Sequence, residues 1–263
     1  MSGIWRISFE SPLASKGHQS VSSSAARRKR TSSCLKRATH LRILFRSKLK
    51  GEQAVTFFTG IFAFQLWTVL PCIVIGYLLG NIQTAVIVSR AYYHDDVRNH
   101  GSGNAGSTNM VRVYGYGPGA ITFAGDSIKA LLGVLAGQLL CGQVGGYLAG
   151  FFVVVGHCWP MFLGFRGGKG VASSYAIAIL SFPLGALAAI AIGGAILLIN
   201  KKMSIMSLAA MLLFFIATLV FQLHNLPLIV LAGLLTIVVF VRHAENIQRL
   251  IHGEEQRLRK EGM

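Results

Sequence analysis

Long apolar runs, separated by three short polar segments, most limit what this chain can fold into. A helix needs about 20 apolar residues to cross the hydrocarbon core of a bilayer, and runs near that length recur between residues 54 and 241. The chain is 53% hydrophobic and 13% charged, whereas soluble domains carry about 25% charged residues. This composition excludes a soluble globular domain and predicts an all-α, polytopic membrane protein.

Seven transmembrane helices are predicted from the apolar runs. The fourth is short because it ends at Pro183, and proline is not tolerated inside a helix. The run before the first span, Ala54 to Leu66, leaves room for an extra pass or a re-entrant turn. The predicted spans are Trp67 to Ser89, Gly119 to Cys141, Val144 to Leu163, Val171 to Phe182, Leu184 to Ile199, Ser204 to Leu223 and Pro227 to Val241.

Lysine and arginine are concentrated in alternate connections between these spans. One set of connections contains twelve Lys or Arg residues, and the other set contains none. Basic connections stay on the cytoplasmic side. The protein is therefore predicted to lie in the cell (inner) membrane, with the first span starting outside and the C-terminus in the cytoplasm. The basic set, which includes all three polar segments, comprises residues 89–118, 164–170, 200–203 and 242–263.

Residues 1–53 form a basic Ser/Arg-rich extension before the predicted membrane domain, residues 54–263. The first 50 residues hold twelve of the 25 Lys and Arg residues but only one acid, Glu10. This composition is typical of a disordered tail that binds anionic surfaces, of a transit peptide, or of an extension that the working protein does not need. The predicted orientation would put this basic segment outside the cell, which conflicts with the rule that basic segments stay in the cytoplasm. The segment is therefore removed, absent from the working form, or followed by an extra pass or a re-entrant turn.

The first polar segment runs from Ser89 to Asn109 and is rich in glycine, hydroxyl and amide groups. Glycine lets the backbone approach a ligand, and successive N–H groups form anion-binding nests. Asp96 and Arg98 precede the glycines, where they can brace the loop and supply positive charge. The alternative is an ordinary flexible connection, which does not require these side chains. The candidate ligand-contacting residues are Gly101, Ser102, Gly103, Asn104, Thr108 and Asn109.

The second polar segment, Gly156 to Ala172, places glycines and cations at the start of the predicted fourth helix. Free N–H groups, the helix dipole and a lysine together favour phosphate. The segment is not a nucleotide P-loop, because its glycine spacing is one residue too short and no hydroxyl follows the lysine. The alternative is a basic loop that only anchors the topology. The candidate residues are Arg166, Gly167, Gly168, Lys169 and Gly170.

Charged and aromatic residues also occur within or beside the spans. Trp159 is typical of an interfacial aromatic belt, and a lone histidine such as His157 is more often structural than catalytic. Asp126 and Lys129 lie three residues apart on one helix face, where opposite charges neutralise each other. This pair either braces the bundle or contacts substrate.

The third polar segment, Arg242 to Glu255, begins where the last span ends. Arg242, Asn246 and Arg249 share one helical face. A basic helix beside a membrane commonly contacts lipid headgroups. That alternative does not account for His243, Asn246 and Glu255, so the segment is a third candidate part of one polar site.

No motif indicates a metal, a cofactor or a nucleic-acid partner. The cysteines are scattered and form no C-x-x-C pair, a pattern that indicates free thiols and neither a disulfide framework nor a zinc site. The four cysteines are Cys34, Cys72, Cys141 and Cys158.

The three polar segments closely resemble the motifs of the bacterial acyl-phosphate:glycerol-3-phosphate acyltransferases, the PlsY family. The matching sequences, in the family's order and spacing, are GSGNAGSTN, GHCWPMFLGFRGGKGVA and RHAENIQRLIHGEE. The lead-in YLLGNIQTA is also similar, with Asn81 in place of a serine, and Asp126 and Lys129 fit the family's D-x-x-K motif. The resemblance covers about residues 66 to 253.

The resemblance implies a seven-helix fold with a cytoplasmic active site and no cofactor. The implied reaction transfers an acyl group from acyl-phosphate to the 1-hydroxyl of sn-glycerol 3-phosphate, giving lysophosphatidic acid and phosphate, the first step of phospholipid synthesis. The lipid bilayer and the enzyme that makes acyl-phosphate are the implied partners. The chain lacks the HxxxxD pair of acyl-CoA acyltransferases, because Phe162 and Gln248 occupy the positions five residues after His157 and His243.

The candidate residues can then be divided by role. The role is structural or undecided for Asp96, Asp126, Lys129 and Glu255. The candidate catalytic residues are Ser102, Asn104, His157, Lys169, His243 and Asn246. The candidate substrate-binding residues are Arg98, Gly101, Gly103, Thr108, Asn109, Arg166, Gly167, Gly168, Gly170, Arg242 and Arg249.

Two other classes of protein remain as alternatives. A transporter or channel for an organic phosphate would also contain intramembrane charges and glycine-interrupted helices. It is disfavoured because the polar clusters are predicted on one side and the chain shows no repeated halves. A lipid-organising membrane protein would not need the glycine–lysine loop.

Overall fold

The computed structural model describes residues 67–257, and every regular element in this range is helical, which confirms the predicted all-α class there. The predicted basic extension, residues 1–53, and the extra pass or re-entrant turn considered at 54–66 lie outside the described residues. The helices are α1 (67–80), α2 (Thr84–Tyr93), α3 (Ser107–Tyr114), α4 (Tyr116–Cys158), α5 (Val171–Ser181), α6 (Pro183–Asn200), α7 (Met203–Phe221), α8 (Leu226–Arg242) and α9 (Ala244–Ile251).

The predicted first span consists of two helices rather than one. α1 and α2 together form the apolar region Trp67–Tyr93, but the chain leaves the helical conformation between them. At this break the Asn81 side chain donates to the main-chain oxygen of Tyr77 (2.7 Å). Gln83 donates to the main-chain oxygens of the last residue of α1 and of His157, each at 3.1 Å. The Gln83 amide thus satisfies carbonyl groups at two helix ends, where the main chain lacks helical partners.

Helix α4 is an antiparallel hairpin of two arms. The backbone leaves the helical conformation at Cys141 and at Gly142, where φ is 61°, a value that favours glycine. Gly137 and Gly145 then face each other so closely that a β-carbon on either would overlap the main-chain oxygen of the other. The reversal lies at the predicted connection between the second and third spans.

Four apolar regions within residues 67–257 are long and hydrophobic enough to cross a bilayer, and α8 with α9, bent by 60°, would make a fifth. Helix α5 has only 11 residues, about half the length that a span requires. These apolar regions identify the chain as a membrane protein. The count of seven spans and the orientation of the spans stay predictions. The four regions are Trp67–Tyr93, Tyr116–Leu163, Pro183–Asn200 and Met203–Phe221.

Helix α5 lies in the middle of the described bundle and positions the residues that precede it. Its residues 172–178 are all buried, and it packs against α4, α6 and α8. Ile177 is fully buried in the main apolar cluster together with Met211 and Leu235. Alanine and serine elsewhere in α5 permit close helix packing. The N-terminal end of α5, and the loop that leads into it, are consequently held in place.

Candidate active site

Arg98 fixes the first polar segment against the second. Its guanidinium forms two hydrogen bonds to Asp96, from Nε to Oδ1 (3.0 Å) and from Nη2 to Oδ2 (2.8 Å). This pairing holds the pKa of Asp96 well below its usual range. The remaining Nη1 donates to the main-chain oxygens of Leu163 (3.0 Å) and Arg166 (3.3 Å). Arg98 therefore connects two loops, which is a positioning role.

Asn109 holds the glycine loop of the first segment. Its Nδ2 donates to the main-chain oxygens of Val97 and His100, at 3.0 and 3.1 Å. Its Oδ1 accepts from the main-chain N–H of Ser102 at 2.9 Å. Gly101 has a φ of 56°, and a β-carbon there would overlap Asn109 Oδ1. The loop thus needs glycine at this position to present Ser102 to the cavity described below.

Gly167 and Gly168 lie against the end of α4 and are held from the third segment. A β-carbon on Gly167 would overlap the main-chain oxygen of His157, so no larger residue fits. Arg242 donates to the main-chain oxygens of Gly168 (3.1 Å) and Gly167 (3.3 Å), and its guanidinium lies 5.6 Å from the centre of the Trp159 ring. Arg242, like Arg98, positions the second segment through carbonyl groups.

Lys169 begins a polar network that joins the second and third segments. Its ammonium donates to Oδ1 of Asn246, whose Nδ2 donates to Glu255 Oε1 at 2.7 Å. Glu255 also accepts from Ser204 Oγ (2.5 Å) and from Arg249 Nε (3.1 Å). Because these side chains fix one another, the network presents a rigid polar surface.

The charges in this network are shifted by their surroundings. Burial lowers the pKa of Lys169 to about 8, although Glu255 nearby opposes this effect. Burial opposes ionisation of Glu255 as well, but hydrogen bonds from Ser204, Asn246 and Arg249 outweigh it and lower the pKa of that carboxyl. At neutral pH, Lys169 is therefore protonated but near its pKa, whereas the Glu255 carboxyl is ionised.

His243 presents a hydrogen-bond acceptor to the site. Its Nδ1 lies 2.8 Å from the main-chain oxygen of Val239. A carbonyl oxygen can only accept, so the hydrogen of the neutral ring is on Nδ1 and Nε2 carries a lone pair. Burial and the nearby Lys169 lower the pKa of His243 to about 4, so the ring is neutral at physiological pH.

These polar groups surround one end of a cavity of about 640 Å³. Side chains from all three polar segments line this polar end, together with Arg112 of α3. The other end is an apolar arm between α4, α5, α6 and α7. Representative residues of the arm are Leu131, Tyr175, Ala176, Ile179, Ile190 and Met206. A polar end joined to an apolar arm is suited to an amphiphile with an anionic head.

The structure brings all six predicted catalytic residues to this cavity and places many of the predicted binding residues beside it. Gly101 and Arg249 line a neighbouring pocket of about 110 Å³, which shares Ser102 and Glu255 with the cavity. The predicted residues that line the cavity are Ser102, Asn104, Thr108, Asn109, Asp126, His157, Lys169, His243, Asn246 and Glu255. Those that do not are Arg98, Gly101, Gly103, Arg166, Gly167, Gly168, Gly170, Arg242, Arg249, Asp96 and Lys129.

Sequence reasoning missed Arg112, Ser204 and the apolar arm. Arg112 is buried and lines both the cavity and the smaller pocket. Its position four residues after Thr108 puts both on one face of α3, and that spacing could have indicated it. Ser204 carries no such signal, because it is a single serine at the start of an apolar helix.

Membrane-length apolar helices, around a cavity with a polar end and an apolar arm, define a membrane protein whose site is suited to an amphiphilic, anionic ligand. Residues 70–253 match the family described as glycerol-3-phosphate acyltransferase. That match covers well over half of the chain. The chain belongs to the glycerol-3-phosphate acyltransferase family.

Individual relatives agree with this assignment. The glycerol-3-phosphate acyltransferase of Alkaliphilus metalliredigens is 39% identical over 191 residues, which cover 72% of this chain and 95% of the relative. That of Hydrogenovibrio crunogenus is also 39% identical, over 71% of this chain and 90% of the relative. A crystal structure of PlsY, an integral membrane glycerol 3-phosphate acyltransferase in its glycerol 3-phosphate form, superposes with a TM-score of 0.68 and 31% identity, over 72% of this chain and 94% of that one.

Proposed function

We propose that this glycerol-3-phosphate acyltransferase takes its acyl group from an acyl-phosphate and transfers it to the 1-hydroxyl of sn-glycerol 3-phosphate. The products are lysophosphatidic acid and phosphate. The observation that carries the proposal is a cavity that joins a polar end, with the cations Arg112 and Lys169, to an apolar arm. An acyl-phosphate is an apolar chain that ends in a phosphate, so it matches both parts of the cavity.

Two cations of the polar end suit the two phosphates of the reaction. Lys169 lies just before α5, where free N–H groups and the helix dipole add to its charge. Arg112 lines both the cavity and the smaller pocket, which it shares with Arg249. Since the smaller pocket is lined by polar residues and glycine, we assign the glycerol phosphate to the Arg112 side and the phosphate of the donor to the Lys169 side.

The reaction then requires orientation and charge stabilisation. The 1-hydroxyl oxygen bonds to the acyl carbon, and the bond between that carbon and the phosphate oxygen breaks. The electron pair of the broken bond leaves with the phosphate, whose charge the nearby cations stabilise. Holding the hydroxyl against the carbonyl removes much of the entropic barrier, and fixed donors stabilise the transient oxyanion.

His243 orients the attacking hydroxyl. Its ring lines the cavity, and Nε2 is an acceptor because Nδ1 is bonded to the Val239 carbonyl. With a pKa of about 4, the ring does not retain a proton at neutral pH. The departing phosphate, whose second pKa is about 6 in phosphate esters, is the better final acceptor, so the hydroxyl proton leaves with it.

The proposal includes the membrane arrangement predicted from the sequence. Seven helices, counting the short α5 and both arms of α4, would place all three polar segments on the cytoplasmic side of the inner membrane. The distribution of lysine and arginine supports this orientation. Residues 1–53 would then precede an acyltransferase domain of residues 54–263, and the enzyme that makes acyl-phosphate would supply the donor from the cytoplasmic side.

Purified protein incubated with a long-chain acyl-phosphate and radiolabelled glycerol 3-phosphate tests the proposal. Labelled lysophosphatidic acid should form, and inorganic phosphate should appear in equal amount. Acyl-CoA or acyl-carrier protein in place of acyl-phosphate should give no product. Transfer from acyl-CoA, or uptake of labelled glycerol phosphate into sealed vesicles without acylation, would overturn the proposal.

A further inference from the structure

A buried cluster of two charges and one histidine lies beside the cavity. Asp126 and Lys129 are on the first arm of α4, and His157 is near the end of the second arm. The side chains of all three are 3–4% exposed. Lys129 Nζ lies 2.8 Å from Asp126 Oδ1 and 2.8 Å from His157 Nδ1. The cluster packs against the break between α1 and α2.

The partners of Lys129 determine which nitrogen of His157 carries hydrogen. An ammonium has three hydrogens and no lone pair, so it can only donate. One hydrogen goes to the Asp126 carboxylate and one to the main-chain oxygen of Ile82, which lies 2.5 Å away in the helix break. The third goes to Nδ1 of His157 at 2.8 Å, because the fourth neighbour, the main-chain oxygen of Gly80, is farther away at 3.4 Å. Because Nδ1 accepts, the hydrogen of the neutral ring must be on Nε2.

We infer that Lys129 is a positioning residue that fixes His157 in the Nε2–H tautomer, and that this N–H donates to the acyl carbonyl oxygen of the bound donor. The inference rests on the proposed function for the identity of that donor. His157 would then be a catalytic residue that touches substrate, while Lys129 acts only through it.

The location of His157 Nε2 supports this role. A β-carbon at Gly168 would overlap Nε2, so this nitrogen lies against the glycine–lysine loop. His157 also lines the cavity, as do Asp126 and Leu131 of the same α4 wall. Asp126 is polar and contacts His157, whereas Leu131 belongs to the apolar arm, so this wall passes from the polar end to the arm close to His157. In an acyl-phosphate the carbonyl joins the phosphate to the chain, so it is the group expected at that boundary.

The two cavity histidines consequently present opposite hydrogen-bonding groups. His243 is held by the Val239 carbonyl with its hydrogen on Nδ1, so its Nε2 accepts. His157 is held by Lys129 with its hydrogen on Nε2, so it donates. A donor for the developing oxyanion and an acceptor for the attacking hydroxyl are the two groups that acyl transfer to an alcohol requires.

Lys129 is necessary because Asp126 favours the other tautomer. Asp126 Oδ1 lies 3.6 Å from His157 Nδ1, close enough to attract a hydrogen on that nitrogen after a small shift. With Lys129 between them, the carboxylate is neutralised and Nδ1 receives a hydrogen instead. Thr84 Oγ1 donates to the same carboxylate oxygen at 3.1 Å, which holds it in place.

Nitrogen-15 NMR of protein labelled at histidine measures the tautomer directly. The purified full chain in lipid nanodiscs is used, and the His157 signals are identified by their loss in a His157→Gln variant. In the wild type, Nε2 should be the protonated nitrogen and Nδ1 the unprotonated one. A protonated Nδ1 with an unprotonated Nε2 would overturn the inference.

Two variants connect the tautomer to catalysis. Lys129→Met should move the hydrogen of His157 to Nδ1 and lower kcat about 100-fold, the usual effect of losing one oxyanion donor, with little change in the KM for glycerol 3-phosphate. In Asp126→Asn/Lys129→Met the asparagine amide can donate to Nδ1, so the Nε2–H tautomer and at least a tenth of the wild-type kcat should return. The double variant also leaves no unpaired buried charge, so it should fold even if Lys129→Met does not.

The outcomes separate this inference from the proposed function. If Lys129→Met loses activity but keeps the Nε2–H tautomer, or if the double variant regains the tautomer without activity, Lys129 is merely structural and the inference is wrong. If wild-type protein shows the Nε2–H tautomer but transfers no acyl group from acyl-phosphate, the proposed donor is wrong while the positioning of His157 by Lys129 still holds.

Discussion

Arg98 donates a 3.0 Å hydrogen bond to the main-chain oxygen of Leu163, 65 residues later in the chain. Arg242 makes the same kind of contact with the main-chain oxygen of Gly168. Each of these arginines thus joins its own polar segment to the second one. Because a guanidinium has five donors in a fixed plane, these contacts set both the distance and the orientation between segments.

Replacing Arg98 with alanine should lower kcat/KM about 30-fold. Hydrogen bonds to charged groups are each worth about 1.5–3 kcal/mol, and the change leaves Asp96 without its main partner and the second segment without one of its two arginine contacts. A loss of about 2 kcal/mol of positioning energy corresponds to that factor. The measurement is steady-state acyl transfer, with thermal unfolding to confirm that the variant is folded.

Arg90→Ala is the matched control for this prediction. Arg90 also pairs with Asp96, at 2.9 Å, but its side chain is 57% exposed, and exposed ion pairs contribute little. The control should stay within about twofold of wild-type activity, as expected for a loss well below 1 kcal/mol. Equal losses in the two variants would show that the Asp96 charge, rather than the connection to the second segment, is what matters.

The polar half of the site was largely predictable from the sequence. Amide and basic residues such as Asn104 and Lys169 are rare in an apolar span, so clusters of them mark the polar half of the site directly. Arg98 and Arg242 were predicted to bind substrate. In the structure their guanidinium groups donate to main-chain carbonyls, and neither residue lines the cavity. Sequence gives the type of charge but not the direction in which a long side chain extends.

The apolar arm and the break in the first span were not predictable in the same way. Residues such as Ala176 and Ile190 show in the sequence only that their segments are apolar. The sequence does not show whether such a side chain faces lipid, the core or a cavity. The break near Asn81 depends on partners far away in sequence, because Gln83 donates to the main-chain oxygen of His157 and Lys129 donates to that of Ile82. Features that arise from packing between distant helices leave no local periodic signal.

The rate should depend on the ionisation of Lys169. Its pKa is lowered to about 8 by burial, so the ammonium that would bind phosphate is lost as the pH rises through that value. We expect kcat/KM for the acyl-phosphate donor, which reports ionisations of the free enzyme, to be constant from about pH 7 and to fall tenfold per pH unit well above 8. The substrate phosphate is already fully ionised there.

Two variants check the assignment of this ionisation. Lys169→Arg keeps its charge at every accessible pH, so any activity it retains should not fall above pH 8. Glu255→Gln removes a carboxylate that raises the pKa of Lys169, so its profile should turn down at lower pH than the wild type. A decline above pH 8 that is identical in Lys169→Arg would contradict the prediction.

Filling the apolar arm should change the preferred acyl length. Ala176 is buried and lines the arm, so a phenylalanine there would occupy space meant for the chain. Displacing two methylenes costs about 1.6 kcal/mol at about 0.8 kcal/mol each. Ala176→Phe should therefore raise the KM for a long-chain acyl-phosphate more than tenfold and leave a short-chain donor nearly unaffected.

Ala188→Phe on α6 is the corresponding control, because Ala188 is exposed and does not line the cavity. It adds the same ring to the outer surface and should preserve the kinetics for donors of every length. If Ala176→Phe instead lowers activity equally for long and short donors, the arm does not hold the acyl chain.

Removal of residues 1–50 should leave acyl transfer largely intact. This basic, serine-rich segment lies before residues 70–253, which match the family, and its composition cannot bury a core. The truncated protein should insert with Ser102, Lys169 and Asn246 facing the cytoplasm. The measurements are labelling of single cysteines placed at these positions in sealed vesicles and acyl-transfer rates of the full-length and truncated forms. Inverted insertion, or correct insertion with no activity, would show that the extension takes part in folding or catalysis.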